Sequence, residues 1–354
     1  MKSQEQLENE VKEYYGTTLQ TTNDLKTNAC STGAASYPSH IKKIMSKIHD
    51  EVHSKYYGCG LVIPSALHGC VALDLGCGAG RDCYILSALV GEKGTVIGVD
   101  FSEEQLAVAR RHEEYHQKQF GFERNNLHFL MGNINELNKV DVGNSEVDVV
   151  VSNCVVNLAR NKREVLSGLF TKLKDGGEFY FSDVYADRRV PQSLVDDPVL
   201  YGECLTGAMY WADFEHLARS VGFLDPRVVE SSLITVQNAA VSKKVGPIKF
   251  YSVTYRLLKI GGLDEGSEDY GQAVTYKGTM EECAHEFVLD RHHEFITGKV
   301  QPVCGNTWRM LHGSRFKAHF DFTGDFSRHF GMFEGCGQKA SSPFSDGCAS
   351  SSCC

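Results

Sequence analysis

The segment Leu73-Asp74-Leu75-Gly76-Cys77-Gly78-Ala79-Gly80-Arg81 limits the possible folds more than any other part of the chain. A short apolar run, Val71–Leu75, leads straight into three glycines at alternate positions, and a helical pattern over Arg81–Val90 follows at once. Glycines let the backbone turn tightly and let a ligand approach where a Cβ would clash. A second strand pattern, Thr95–Val99, ends at Asp100, where a carboxylate can accept both hydrogens of a ribose diol. The bland alternative is a plain strand-to-helix turn. Strand, glycine loop, helix, strand and acid in this order favour a cofactor site.

The rest of the pattern agrees. Ser102 with Gln105 three residues later predicts a capped helix over 103–119. Leu127–Met131, Val147–Val151 and Glu178–Phe181 read as further strands, with a helix at Lys162–Leu173 between the last two. Near-continuous apolar strands alternating with helices predict an α/β, Rossmann-like parallel sheet covered on both faces. A helix at 211–221 and β-like runs at Val228–Val236 and Phe250–Leu258 would close its edge. Upstream, Ile41, Ile44, Met45, Ile48 and Val52 predict one helix over 38–55.

The expected division is an N-terminal segment 1–69, a main domain 70–261, a small mainly β domain 262–334 and a Ser/Gly/Cys-rich tail 335–354 read as unstructured. Within the third unit, 262–270 reads as a linker. Gln272–Lys277, His285–Leu289, His293–Ile296 and Phe316–Phe322 read as β.

Lys and Arg number 36 against 45 Asp and Glu, a net charge of −9 that argues against general nucleic-acid binding. No apolar run approaches the ~18 residues needed to cross a bilayer, and no apolar signal segment follows Met1. A cytoplasmic monomer with no membrane or nucleic-acid partner is expected. The 13 cysteines do not fit that plain picture. None has the C-x2-C spacing of a zinc ribbon or finger, so a structural zinc site is not expected.

The loop spacing is G-x-G-x-G, with Arg81 where a dinucleotide fingerprint would place its third glycine. Asp74, just ahead of the loop, would repel a pyrophosphate. Both features look like motif I of the class I S-adenosylmethionine methyltransferases rather than a nicotinamide enzyme. Gly132-Asn133-Ile134 then falls where those enzymes hold adenine, and Ser152-Asn153-Cys154 where the methyl group points.

Cys154 follows the fourth strand at the carboxyl edge, where α/β sheets bind ligands, and Cys204 lies in the loop region after the fifth. Cys30 and Cys59 sit in glycine-flanked segments placed to close as a lid. Each alone reads as a small core residue. Jointly at a methyl donor they suit a soft, thiophilic acceptor. Cys70, Cys77, Cys83, Cys283 and Cys304 read as structural, and the tail thiols as either solvated or ion-capturing. A carbon or nitrogen acceptor, or a thiol-rich sequestering protein on a degenerate cofactor fold, stays open on this reading.

Five stretches resemble the arsenite S-adenosylmethionine methyltransferases. They are Tyr56-Tyr57-Gly58-Cys59-Gly60, Leu73 to Cys83, Ser152-Asn153-Cys154-Val155-Val156-Asn157-Leu158, Phe181-Ser182-Asp183-Val184-Tyr185 and Gly202-Glu203-Cys204. Gln272–Tyr276 and Ser314-Arg315-Phe316 resemble that family's C-terminal domain, so the likeness covers about residues 10–320. The resemblance implies methyl transfer from S-adenosylmethionine to thiol-bound trivalent arsenic, giving mono- and dimethylated species and arsenic detoxification. It implies that Cys154 and Cys204 hold arsenic throughout, that Cys59 completes a three-thiolate site, and that Cys30 is its redox partner. Tyr57, Asp74, Gly76, Gly78, Gly80, Arg81, Asp100, Asn133, Ile134 and Asn153 would bind the cofactor. Arsenite and methylarsenite would be substrates, with glutathione or thioredoxin as the thiol reductant for turnover.

Overall fold

The computed structural model describes residues 37–56, 58, 60–195, 197, 200, 205, 207–236, 238–334 and 344. Helices α1 (Ser39–Met45) and α2 (Asp50–Ser54) lead into β1 (Val71–Leu75), α3 (Arg81–Val90), β2 (Thr95–Asp100), α4 (Glu103–Arg111) and α5 (Glu113–Phe120). Then come β3 (Leu127–Met131), β4 (Val147–Asn153), α6 (Lys162–Lys172), β5 (Leu173–Ala186), β6 (Met209–Tyr210), α7 (Trp211–Val221), β7 (Arg227–Leu233), α8 (Ala239–Val245) and β8 (Phe250–Leu258). These strands make one sheet in the order β3-β2-β1-β4-β5-β8-β7, with β6 paired to the end of β5. The first five run parallel, and β8 and β7 close the edge in antiparallel fashion.

Alternation along the strands builds the two faces. Leu73, Leu75, Val150, Phe179 and Phe181 pack with Val165, Leu166 and Leu169 of α6 on one side. Ala72, Val96, Val149 and Val151 pack with Cys83, Leu86 and Val90 of α3 on the other, along with Ile41 and Val52 from the two N-terminal helices. Helices thus leave β1 and β4 toward opposite faces.

Beyond β8, β9 (Glu268–Asp269), β10 (Ala273–Tyr276), β11 (Glu286–Asp290), β12 (His293–Ile296), β13 (Val300–Pro302), β14 (Phe320–Thr323) and β15 (Gly331–Met332) form small antiparallel pairings around helix α9 (Gly305–His312). The α/β sheet with a smaller β-rich C-terminal region is as the sequence pattern predicts. The details differ. The 38–55 helix is two helices, because the ring of His49 accepts the Glu51 N–H and restarts the turn. The 103–119 helix breaks at His112. The 262–270 stretch contains β9, which pairs with β15, and α8 and α9 went unpredicted. Of the tail, only Phe344 is among the described residues, and its ring stacks on Tyr251 at 3.7 Å.

A buried charge cluster joins the C-terminal region to the sheet. Glu178, on β5, is fully buried. It receives Arg256 of β8 at 2.5 Å and pairs with Arg315, which also donates to the Ser65 carbonyl at 2.8 Å. The two guanidiniums outweigh burial and hold the Glu178 carboxyl below the usual range. Removing one partner of a buried ion pair costs ~3–5 kcal/mol. Arg315→Ala is therefore expected to lose about that much stability in urea unfolding. A loss within experimental error would show that the cluster does not hold the two parts together.

Candidate functional site

The glycine loop is held by the acid that follows it. Gly76 N and Cys77 N both donate to Val99 O. Asp100 Oδ2 accepts the Gly78 N–H at 2.9 Å, and its Oδ1 accepts the Ser102 N–H at 2.8 Å. Ser102 in turn caps α4 by accepting the Gln105 N–H at 3.3 Å, as the capping pattern predicts. Gly76 and Gly78 are glycine for separate reasons. Gly76 has φ +71°, and a Cβ there would sit 2.4 Å from Val155. Gly78 has φ +53°, and a Cβ there would meet nothing nearer than Gln105 Oε1 at 4.0 Å, projecting instead into the open cleft.

That cleft lies at the carboxyl ends of β1, β2 and β4. Asp74, Gly76, Gly78, Arg81, Asp100, Asn133, Ile134, Asn153 and Cys154 all line it. Gly80 is the exception among the described candidates. It caps α3 at φ +86°, and its missing Cβ makes room for Phe129 and Ala109. Asp74 is buried, and its Oδ2 accepts the Cys83 thiol at 3.2 Å. Burial first, and the neighbouring Asp82 second, push its carboxyl up to about 8. Burial also raises Asp100, offset by the N–H groups of Ser102, Gly78 and Phe101.

Several wall residues were missed in the sequence. Arg81 is committed to Asp82, at 2.7 Å, and lies on the ring of Tyr56. Asn153 Nδ2 donates to Tyr56 Oη at 2.6 Å, to Gly60 O at 3.1 Å and to Asp82 Oδ2 at 3.3 Å. Asn153, Asp82 and Arg81 therefore seat Tyr56 and Gly60 against the sheet edge. Phe101, Ser102, Gln105 and Val155 complete the wall. Only the Tyr56-Tyr57 pair carried a signal for this role, and it directed attention to Tyr57.

The thiols divide sharply. Cys154 is buried, lines the cleft, and has φ +56°, a backbone conformation uncommon for a residue with a side chain. Its N–H donates to Ser182 O, and its sulfur is disulfide-bonded. Cys70, Cys77, Cys83, Cys283 and Cys304 are free. Burial pushes the Cys77 thiol up to about 11 and raises Cys83 well above the ordinary thiol value, so both remain protonated beneath the loop. Cys30, Cys59, Cys204 and Tyr57 lie outside the described residues.

Residues 67–222 match a methyltransferase domain model, and residues 270–354 match an arsenite methyltransferase C-terminal domain. Over 327 residues the chain is 56% identical to the arsenite methyltransferase of Aquipseudomonas alcaligenes, covering 92% of this chain and 94% of that one. This chain belongs to the arsenite methyltransferase family. The mouse arsenite methyltransferase is 42% identical over 319 residues, 90% of this chain and 84% of its own. The crystal structure of an arsenic(III) S-adenosylmethionine methyltransferase from Chlamydomonas reinhardtii superposes with a TM-score of 0.82 at 44% identity. It covers 84% of this chain and 100% of that one. As in other arsenite methyltransferase family members, a class I methyltransferase sheet here precedes the family's own C-terminal region.

The raised Asp74 gives the fold a specific pH response. In the unfolded chain this carboxyl has its ordinary value of 3.8, against about 8 when folded. Its proton therefore supports the folded state most fully below the lower value, and that support is lost as pH rises toward the upper one. Asp74→Asn is expected to be more stable than the parent, by a margin that widens as pH rises from 3.8 to about 8 and then levels. Thermal unfolding across that range tests it, and a margin independent of pH would mean Asp74 is ionised in the free protein.

Proposed function

We propose that this protein transfers methyl groups from S-adenosylmethionine to trivalent arsenic held by its own thiols, converting arsenite to mono- and dimethylated species. The observation that carries the reading is Cys154, projected by its left-handed backbone into the same cleft as the glycine loop, Asp74 and Asp100. The cleft suits the cofactor. Gly78 leaves it open, two buried carboxyls face it, and of the cations on its wall, Lys55 and Arg81, Arg81 is already paired with Asp82.

On this reading Asp100 accepts the ribose hydroxyls, Asp74 takes the α-ammonium group, and Asn133 and Ile134 flank adenine. Asn153 and Tyr57 cover the methionine side. Arg81 and Gly80 act on the wall and on the helix start. The cofactor supplies an electrophilic sulfonium methyl. The protein's part is to aim the arsenic lone pair at it, so proximity and orientation do most of the work and no general base is needed. Cys154 and Cys204 hold arsenic, Cys59 is the third thiolate, and Cys30 is the redox partner, as the family motif implies at those positions.

Methylation oxidises arsenic formally to the pentavalent state, and a dithiol returns it to the trivalent state while becoming a disulfide. Thioredoxin or glutathione then reopens the disulfide by thiol exchange. The Cys154 disulfide must open in the same way before that sulfur can ligate arsenic. The reading includes a lid and arsenic segment at 1–69, a methyltransferase unit at 70–261, a small unit at 262–334 and a tail at 335–354. It also includes action as a cytoplasmic monomer. Among the described residues, no helix is long and apolar enough to cross a membrane.

Incubation with arsenite, S-adenosylmethionine and a thiol reductant, followed by arsenic speciation, is expected to give methylated products, with none beyond a stoichiometric burst when the reductant is left out. Stoichiometric arsenite binding without consumption of S-adenosylmethionine would favour a sequestering protein. Cys154→Ser exchanges a soft ligand for a hard hydroxyl and is expected to abolish both methylation steps. Turnover by that variant at near the parent rate would remove Cys154 from the arsenic site.

Cys30→Ser and Cys59→Ser are expected to lose arsenite methylation but keep methylation of monomethylarsenite. That substrate already carries one carbon and takes only two thiolates. Equal loss of both activities with an intact fold would end the division of roles.

A further inference from the structure

At the junction of α2 with the α4–α5 break, His49, Glu51 and His112 offer one donor atom each, all within 4.8 Å of one another. His112 Nε2 lies 2.7 Å from Glu51 Oε2, and the His49 ring stacks on the His112 ring at 3.8 Å. The other Glu51 oxygen is held by Arg111 at 2.7 Å, which fixes the carboxylate with Oε2 turned to the histidines.

The backbones that carry the two histidines are tied together by a third. His49 N–H donates to His116 Nε2 at 3.2 Å, and His116 Nδ1 lies 2.7 Å from His112 O. A ring that accepts at Nε2 and donates at Nδ1 in this way has both nitrogens engaged. His116 is 1% exposed and stacks on Tyr84 at 3.5 Å. Tyr84 is fixed in turn by its hydroxyl on Ala109 O. Both ring nitrogens of His116 therefore tie together the backbones that carry the other two histidines and set their rings side by side.

We propose that His49, Glu51 and His112 form a binding site for a borderline divalent cation of the zinc class. Two imidazoles and one carboxylate, with water in the remaining position, are a familiar set for such ions. The ion takes the place of the proton between His112 Nε2 and Glu51 Oε2, and the His49 ring turns out of the stack, exchanging the Glu51 N–H that its Nδ1 accepts at 3.2 Å for the ion. Donors about 2.0–2.2 Å from a tetrahedral ion stand a little over 3 Å apart, so the pair opens only slightly.

The bound ion would brace the cleft from outside. Helix α2 leads directly to Lys55 and Tyr56 in its wall, and α4 begins beside Ser102 and Gln105 on the same wall. This site is independent of the methyl-transfer reading.

Cobalt(II) is the suitable probe, because the chain's many thiols would also take zinc, and cobalt–thiolate ligation adds a strong near-ultraviolet charge-transfer band. The full chain, kept reduced with a phosphine, is titrated under argon and followed by calorimetry, absorption and thermal unfolding. The expected result is one cobalt ion bound without the thiolate band and a raised Tm. His112→Ala and Glu51→Gln are each expected to weaken that binding by at least about tenfold and to abolish the Tm shift. Glu51→Gln keeps the shape of the side chain, so it answers the question even if His112→Ala folds poorly. Unchanged affinity and Tm shift in Glu51→Gln, or a thiolate band on all the bound cobalt, would overturn the site.

Discussion

Because α3 leaves β1 toward one face and α6 precedes β5 on the other, the chain diverges beyond the paired ends of β1 and β4. A gap opens at their carboxyl ends, and no helix fills it. Backbone N–H groups, strand-end side chains and the loop between β4 and β5 all converge there. Asp74, Asp100, Asn153 and Cys154 come from three strands, yet they line a single cleft. The identities of the loop residues matter because the topology has already decided where they meet. Asp100 then fixes the opening by clasping the Gly78 and Ser102 N–H groups, so one side chain sets both the loop and the start of α4.

Some residues in the family-like stretches are architecture rather than chemistry. Asp183 is fully buried and accepts the N–H groups of Asn157 and Val184, while Asn157 donates from its side chain to Val184 O. Together they lock the exit of β4 to the exit of β5. The left-handed backbone at Cys154 stores strain of order 1–3 kcal/mol, which persists only where the surroundings over-determine it. Here the Cys154 N–H bond to Ser182 O and the Asn157–Asp183 lock on either side do so. A thiol placed this way keeps its direction whether or not it is bound.

What the sequence made legible followed from local rules. Strand, glycine loop, helix and acid stand within thirty residues of each other, and each obeys a short-range constraint of turn geometry or apolar period. What escaped depends on contacts far apart in the chain. Glu178, Arg256 and Arg315 meet across the fold, and no pattern in any one window marks them as partners. The break at His112 was hidden because no Gly or Pro marks it, while the ring of His116 returns to the His112 carbonyl. Helix α9 has no side-chain cap at Cys304 and only eight residues, so it lacked both a start signal and length. At the site, Asp74, Asp100, Asn133, Asn153 and Cys154 sit in motifs and were found, while Phe101, Ser102, Gln105 and Val155 line the same cleft and were not assigned to it. Asp82 and Tyr56 act by holding other side chains, and sequence adjacency does not report that.

The charge pattern of the cleft explains how an acidic pocket can be stable before its ligand arrives. Asp74, Asp82 and Asp100 gather around the loop with Arg81 as the nearby cation, and Arg81 is spent on Asp82. Leaving all three carboxyls ionised in so little water would be strongly unfavourable. Protonation of Asp74 relieves the excess, with the Cys83 thiol on its Oδ2 and the Asp100 charge anchored by backbone N–H groups. On the proposed reading, an incoming α-ammonium group would replace that proton, and the attraction then falls at the amino-acid end of the cofactor. The sulfonium keeps its reactivity best where no carboxylate stabilises its charge, because charge lost in the transition state should not be held tightly in the ground state. On the proposed reading, the carboxyls secure the two ends of the cofactor and leave the methyl to face a neutral, sulfur-lined wall.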